Sequence, residues 1–339
     1  MRIAIVAVEG SLLSAITGLV DLFWMTNQAL QSPQVGALSG VHDLPKVSFE
    51  TCIVSFDGKP LRDTQGRPIP VDASYQEVTK CQAVLIAGMA LGSDGLPPDS
   101  ESITQAAHWL RGCHQQGMLV GAACAGTFVL GQSGLLNGRR CATTWWLHHA
   151  FKRRFPQAQL VWGSAVEEQN HIITTGGPLS WIDLGLQVMR ALAGKDIAKL
   201  AADIAVTDSQ PLPQLMYAPP GFVSSADPLL LKAEHIIRHV APSLTAGGLA
   251  KALNLSERTL HRRLKSLCNE SPKEFITRVR METACTLLNM PKVSIKEIAT
   301  KCGYGEETSF RRAFTQMTGR TPLEYKRWAN TRNVMNEID

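Results

Sequence analysis

At 339 residues, 45% hydrophobic and 19% charged, the chain has material for about two domains of roughly 150 residues each, and its composition excludes a disordered or collagen-like polymer. No apolar run approaches the roughly 20 residues that span a bilayer, and the N-terminal Met1–Glu9 is too short for a secretory signal, so a soluble, cytoplasmic protein with no membrane partner is expected. The net charge of +5 is uneven: residues 1–227 hold 15 Lys and Arg against 18 Asp and Glu, whereas residues 228–339 hold 19 against 11, which points to a polyanionic partner for the C-terminal part.

In chain order, Ile3–Val8 reads as a first buried strand. Short β-branched or apolar runs recur at Val47–Ser55, Ala83–Ala87, Met118–Ala122 and His171–Thr174, alternating with helical patterns near 17–30, 101–116, 125–133 and 178–193. Such alternation predicts an α/β domain over 1–207, a mainly parallel sheet with helices on both faces. Within it, Gly121-Ala122-Ala123-Cys124-Ala125-Gly126 follows a strand and opens a helix. Small neighbours let the chain turn sharply there, and the helix N-terminus is expected to favour a thiolate at Cys124. A buried structural cysteine among glycines has the same spelling. The eight cysteines are scattered, with no C-x-x-C pair and no zinc-site spacing, so no disulfide framework, metal or cofactor is expected.

The words Gly134-Leu135-Leu136-Asn137-Gly138-Arg139-Arg140-Cys141-Ala142-Thr143-Thr144 and Thr174-Thr175-Gly176-Gly177-Pro178 to Ile182-Asp183-Leu184 resemble the PfpI-like branch of the class I glutamine amidotransferase-like fold, over nearly all of 1–195. That branch occurs fused to AraC-type domains in GlxA-like regulators. The resemblance implies an elbow cysteine paired, in catalytic relatives, with a histidine and an acidic residue near the first helix. Here Trp145 stands where the histidine is expected, and the acidic position falls near Ala15. A nucleophile without a base is not activated, although His148, His149, Glu9 and Asp21 remain candidate partners. The expectation is a pocket of Glu9, Gly88, Cys124, Ala125, Trp145 and Gly176 that binds a small metabolite without turnover, and no enzyme; the alternative is a thiol-dependent, amidase-like or deglycase-like hydrolase with a DNA-binding tail. Trp145, Trp146, Trp162 and Trp181 join Trp24 and Trp109 as mostly core residues. One or two facing the cleft would hold a quaternary ammonium group by cation–π attraction, in line with the amino-acid-like and betaine-like effectors that the resemblance implies.

Residues 208–227, with Pro211, Pro213, Pro219 and Pro220, read as a proline-rich linker. Beyond it, 228–339 is helical and repeats itself at a spacing of 50. Leu260, Leu264 and Phe275 fall opposite Phe310, Phe314 and Tyr325, and Ser271-Pro272-Lys273-Glu274 opposite Thr321-Pro322-Leu323-Glu324. Both tetrapeptides are helix starts with a capping box, as is Ser294-Ile295-Lys296-Glu297. Upstream the spacing becomes 49, Leu249-Ala250 matching Ile298-Ala299, so the second copy has one extra residue within Cys302-Gly303-Tyr304-Gly305. Each unit is helix, tight turn, helix.

Leu260, Leu264 and Leu267 in one copy, and Phe310, Phe314 and Met317 in the other, are spaced to face a core. That turns Arg258, His261, Arg262 and Lys265 outward in the first copy and Thr308, Arg311, Arg312 and Thr315 in the second. One basic helix face is commonly just solvated; two on the second helices of repeated helix-turn-helix units suit major-groove reading. The same residues, from Leu249-Ala250 through Arg262-Arg263-Leu264 to Gly319-Arg320-Thr321-Pro322, resemble the AraC/XylS DNA-binding domain over about 235–328. That resemblance implies an all-α domain of two helix-turn-helix subdomains joined by a long helix, Pro272–Asn289. It also implies a sequence-specific, ligand-responsive transcription regulator that binds double-stranded operator DNA as a homodimer.

Overall fold

Alternate residues of the N-terminal strands go to opposite faces of one sheet, and this period of two sets where the cores lie. The computed structural model describes residues 1–32, 46–78, 80–290 and 293–334 and divides the chain into two units, Met1–Pro211 and Leu212–Asp339. The strands of the first unit are β1 (Arg2–Val6), β2 (Glu50–Ser55), the hairpin β3 (Leu61–Arg62) and β4 (Pro68–Ile69), β5 (Ala73–Ser74), β6 (Ala83–Ile86), β7 (Leu119–Ala123), the pair β8 (Arg140–Cys141) and β9 (Gln159–Leu160), β10 (Val166–Gln169) and β11 (Ile172–Thr175). Seven of them form one sheet in the order β10-β11-β7-β6-β1-β2-β5. It is parallel apart from the antiparallel β10–β11 pair at one edge.

Its helices are α1 (Leu13–Gln31), α2 (Glu101–Gln115), α3 (Thr127–Ser133), α4 (His148–Arg154), α5 (Trp181–Ala193) and α6 (Lys195–Ile204). On one face Ile3, Ile5, Leu85 and Ile173 pack with Ile16, Leu19 and Phe23 of α1, Leu184 and Val188 of α5 and Ile197 of α6. On the other, Ala4, Val6, Val84, Ile86 and Val120 pack with Ile103 and Leu110 of α2, Phe128 of α3 and Phe151 of α4. Both faces of a parallel sheet are thereby covered, each fully buried Val, Leu, Ile or Phe contributing about 1.5–3 kcal/mol. The first helix begins earlier than its apolar pattern suggested. Leu12 offers no side-chain cap, and a tertiary bond, Leu12 N to Gly88 O at 2.9 Å, sets the start instead.

The second unit is helical: α7 (Pro228–His235), a π turn at Ile236–Val240, α8 (Ala246–Ala252), α9 (Glu257–Cys268), α10 (Pro272–Leu288), α11 (Ile295–Lys301), α12 (Glu307–Thr318) and α13 (Pro322–Val334). The expected caps form locally. Ser271 and Glu274 make a reciprocal box at the start of α10, and Thr321 and Glu324 do so before α13. At α11 only half of the box forms: Ser294 caps Glu297 N, while the Glu297 carboxylate pairs with Lys301 at 2.8 Å. The core faces of the repeated helices also differ from the expectation. Leu260, Leu264 and Cys268, and in the other copy Phe310, Phe314 and Thr318, are buried, with Leu267 and Met317 only half-buried. The stripe steps by four residues throughout, because Cys268 and Thr318 bond back to the carbonyls of Leu264 and Phe314.

Residues 212–227, within the stretch expected as a linker, fall in the second unit. Met216 packs into its core with Met281, Phe310 and Phe314, and Gly221 N donates to Glu282 Oε2 at 3.2 Å. Proline bars regular helix here without barring side-chain packing.

Candidate functional site

The strand registers Val6↔Ile86, Ile86↔Ala122 and Ala122↔Thr174 carry β1, β6, β7 and β11 to a common edge. Two residues further on stand Val8, Gly88, Cys124 and Gly176, with Glu9 next in line. Of the residues expected to line a pocket, Glu9, Gly88, Cys124, Ala125 and Gly176 therefore lie at or just beyond the carboxyl ends of adjacent parallel strands, the edge where open α/β sheets bind their ligands. Cys124 sits there with φ at +54°, a left-handed conformation that costs a non-glycine residue about 1–3 kcal/mol. Its surroundings over-determine it. Thr127 Oγ1 and Thr143 Oγ1 both donate to Cys124 O, at 2.6 and 3.0 Å. A Cβ on Gly126 would lie 2.6 Å from Ala87 O, so only glycine lets that segment close around the elbow, while one on Gly88 would meet Cys124 Cβ at 3.3 Å, a tight contact.

The thiol at this elbow is buried. Burial pushes its pKa up to about 11, outweighing a backbone hydrogen bond from Ala125 that works the other way. This corrects the thiolate expected from the helix N-terminus: at 5% exposure the cost of desolvating a charge exceeds what one short 3₁₀ turn, Cys124–Gly126, returns. Ala125 is buried beside it, while Gly176 is half-buried and its N donates to Ala165 O. Trp145 is half-buried and follows Thr143 and Thr144, so the segment that supplies a cap to Cys124 O also presents the indole. Its ring meets Trp146 edge-on at 5.3 Å. Glu9 is exposed, and its carboxylate accepts from Arg62 N at 3.3 Å. His148 is buried edge-on against Trp162, and Asp21 lies exposed on α1.

Sequence reading missed two features of this edge. Asp183, in the first turn of α5, has its pKa raised to about 6 by desolvation; an acidic residue after Thr174-Thr175-Gly176-Gly177 was the available signal. Among the described residues, the buried hydroxyl of Thr144 and the indole Nε1 of Trp181 have no hydrogen-bond partner. Trp181 itself is seated on α1, where its ring comes so close to Gly18 that a Cβ would lie 2.4 Å away. Among the described residues no cluster of three His, Cys, Asp or Glu side chains could hold a metal ion, and no helix is long and apolar enough to cross a membrane.

In the second unit, Arg258, His261, Arg262 and Lys265 are exposed along α9, and Thr308, Arg311 and Arg312 along α12, with Thr315 half-buried. Two of these charges are engaged within the fold. Lys265 Nζ donates to Asn269 O at 3.0 Å, and the Arg311 guanidinium pairs with Glu307 one turn earlier. Both faces are otherwise open and basic, each on the second helix of a helix-turn-helix.

Residues 31–191 match the DJ-1/PfpI family and residues 249–327 match a helix-turn-helix domain family. The chain joins a DJ-1/PfpI domain to an AraC-type helix-turn-helix domain. It is an AraC-family DNA-binding transcription regulator. Among its relatives are the HTH-type transcriptional regulator CdhR of Pseudomonas aeruginosa, 25% identical over 80% of either chain, and the HTH-type transcriptional regulator GlxA of Rhizobium meliloti, 26% identical over 80% of this chain and 82% of that protein. A solved AraC family transcriptional regulator from Pseudomonas putida covers 60% of this chain and 98% of its own, at 18% identity and a TM-score of 0.48.

Proposed function

We propose that the regulator senses a small metabolite at the carboxyl edge of the N-terminal sheet and reads operator DNA through α9 and α12. The observation that carries the sensing half is the Cys124 elbow: it keeps its strained backbone and glycine-lined approach, yet its thiol is held neutral near pH 7 by burial. A hydrolase needs a thiolate or a base to make one. A binding site needs only shape and a few unsatisfied polar groups, and the Thr144 hydroxyl and the desolvated Asp183 carboxylate lie in segments that lead to and from this edge. A carboxylate short of solvent favours a cationic ligand, and half-buried Trp145 suits an ammonium group. The effector class that follows is amino-acid-like or quaternary ammonium. In the DNA-reading half, Arg258, His261, Arg262, Lys265, Thr308, Arg311, Arg312 and Thr315 divide between base edges and phosphates.

The test is to titrate the full chain with a panel of free amino acids and betaine-type compounds, following its melting temperature, its affinity for operator DNA and the fate of each compound. The expected result is a compound that raises the melting temperature, changes DNA affinity and is recovered chemically unchanged. Consumption of that compound by wild type but not by Cys124→Ser would overturn the sensing reading in favour of thiol hydrolysis.

A further inference from the structure

The two helix-turn-helix copies share two hydrogen bonds in their turns. In the first, Asn254 N donates to Lys251 O and Leu255 N to Ala250 O, at 3.0 and 2.9 Å; in the second, Gly303 N donates to Thr300 O and Tyr304 N to Ala299 O, both at 2.9 Å. The spacing is 49 up to Tyr304, which makes Gly305 the extra residue of the second turn. At the shared left-handed position the first copy has Asn254, φ +56°, and the second Gly303, φ +77°. Asparagine tolerates this conformation, so the backbone alone does not demand glycine in the second copy.

A neighbour does. A Cβ on Gly303 would lie 2.1 Å from Pro242 O, 2.3 Å from Pro242 C and 2.7 Å from Ser243 N. Pro242 to Leu244 lead directly into Thr245, whose side chain caps α8 by accepting from Gly248 N. The turn of the second copy therefore rests on the entrance of the first. Arg280, on the helix α10 that connects them, fastens the same place. Its Nε donates to Pro242 O at 2.7 Å, a second guanidinium nitrogen donates to Leu244 O at 3.0 Å, and its charge stands 5.6 Å over the Tyr304 ring. Tyr304 in turn packs on Phe310 of α12, with ring centroids 5.7 Å apart.

We propose that Arg280 and Gly303 form a clasp that fixes the phase between the two helix-turn-helix units, so that the protein binds two DNA segments tightly at one spacing only. Both act as positioning residues: they lie outside α9 and α12 and set how those helices are presented together. A bidentate guanidinium on two carbonyls is geometrically stricter than a single hydrogen bond, and a glycine contact that no side chain can enter leaves no slack beside it. The proposal rests on the reading that both helices contact DNA.

The experiment uses the full chain and a duplex selected by the wild-type protein from a random-sequence library. The same duplex is then remade with one or two base pairs inserted between the two protected segments, and again with one segment scrambled. Wild type is expected to lose about tenfold or more in affinity on respacing, comparable with a mismatched site. Arg280→Met is expected to bring the respaced and native duplexes to within about threefold of each other while keeping its affinity for the one-segment duplex. Gly303→Ala should act in the same direction, and Arg280→Lys, which retains a donor for the carbonyls, should fall between Arg280→Met and wild type. A folded Arg280→Met chain, checked by circular dichroism, that keeps the wild-type spacing preference would overturn the clasp. So would one that weakens all three duplexes equally. Protection of a single segment by wild type itself would instead sink the two-helix reading, and is recognisable because no variant is needed to see it.

Discussion

Arg278 and Glu282, one turn apart on α10, form an ion pair at 2.9 Å in which each side chain is only 3% exposed. Arg278 also meets Glu270 at 2.8 Å and Glu234 of α7 at 3.2 Å, and Arg238 pairs with Glu282. Burial opposes the Arg278 charge, but the carboxylates of Glu270, Glu282 and Glu234 outweigh it and hold its pKa well above the ordinary arginine value. Removing one partner from such a cluster strands the others. Arg278→Met should destabilise the C-terminal unit by about 3–5 kcal/mol, read as lost hydrogen-exchange protection along α10. Breaking the exposed Lys199–Asp203 pair by Lys199→Ala should cost under about 1 kcal/mol. Equal effects would show that the cluster is not the anchor it looks to be.

The Cys124 thiol has a pH signature whose sign is fixed. Its native pKa, about 11, lies above the ordinary value of a free thiol, about 9, so between those values the unfolded chain loses the proton while the native chain keeps it. Stability falls as pH rises through this window. Cys124→Ser removes the group, so its stability relative to wild type should improve by up to about 1.4 kcal/mol per pH unit between pH 9 and 11 and stay constant below pH 8. Urea midpoints across that range check this; a difference independent of pH would mean that the thiol is not shielded.

Added bulk at Gly88, at the carboxyl edge of the sheet, should separate sensing from DNA binding. Gly88 has no positive φ, so a side chain there meets only space constraints, with Leu12 Cδ1 at 3.1 Å and Cys124 Cβ at 3.3 Å from the Cβ position. Gly88→Val should abolish effector-dependent reporter expression while leaving DNA affinity within about twofold. An unchanged response would place the sensing site elsewhere.

Two glycines with opposite surroundings test how tightly the elbow is built. Gly126→Ala drives a Cβ to 2.6 Å from the Ala87 carbonyl oxygen, whereas at Gly112, on α2, nothing lies within 4 Å of the added atom. The first should destabilise by about 1–3 kcal/mol. The second should stabilise by about 0.5–1 kcal/mol, because alanine loses less entropy than glycine in a helix. Melting temperatures of the two variants should move in opposite directions.

Much of this was legible from local pattern. The short apolar runs such as Ile3–Val8, alternating with helical patterns, announced a mainly parallel sheet covered on both faces, and the 50-residue repeat announced two helix-turn-helix units, because strand, cap and turn chemistry act within a few residues. The sequence could not show which of several adjacent positions would win a tertiary contact. Leu267 and Cys268 are neighbours of similar apolar character, and packing chose Cys268. The state of Cys124 depended on desolvation by segments far away in sequence, which overrode the helix-terminus effect written locally. The extra residue in the second turn was visible, whereas the reason that Gly303 and not asparagine precedes it lies 61 residues upstream, at Pro242.

The most direct test of DNA reading by both helices is a hydroxyl-radical footprint of the full chain on its selected duplex, wild type beside Arg262→Ala and Arg312→Ala. Both side chains are exposed, and among the described residues neither makes a hydrogen bond or ion pair within the protein. Wild type should protect two segments about one helical turn, roughly 34 Å, apart. Each single variant should lose protection of one segment and about 1–3 kcal/mol of affinity. A footprint confined to one half-turn, or wild-type protection and affinity when both arginines are replaced together, would contradict it.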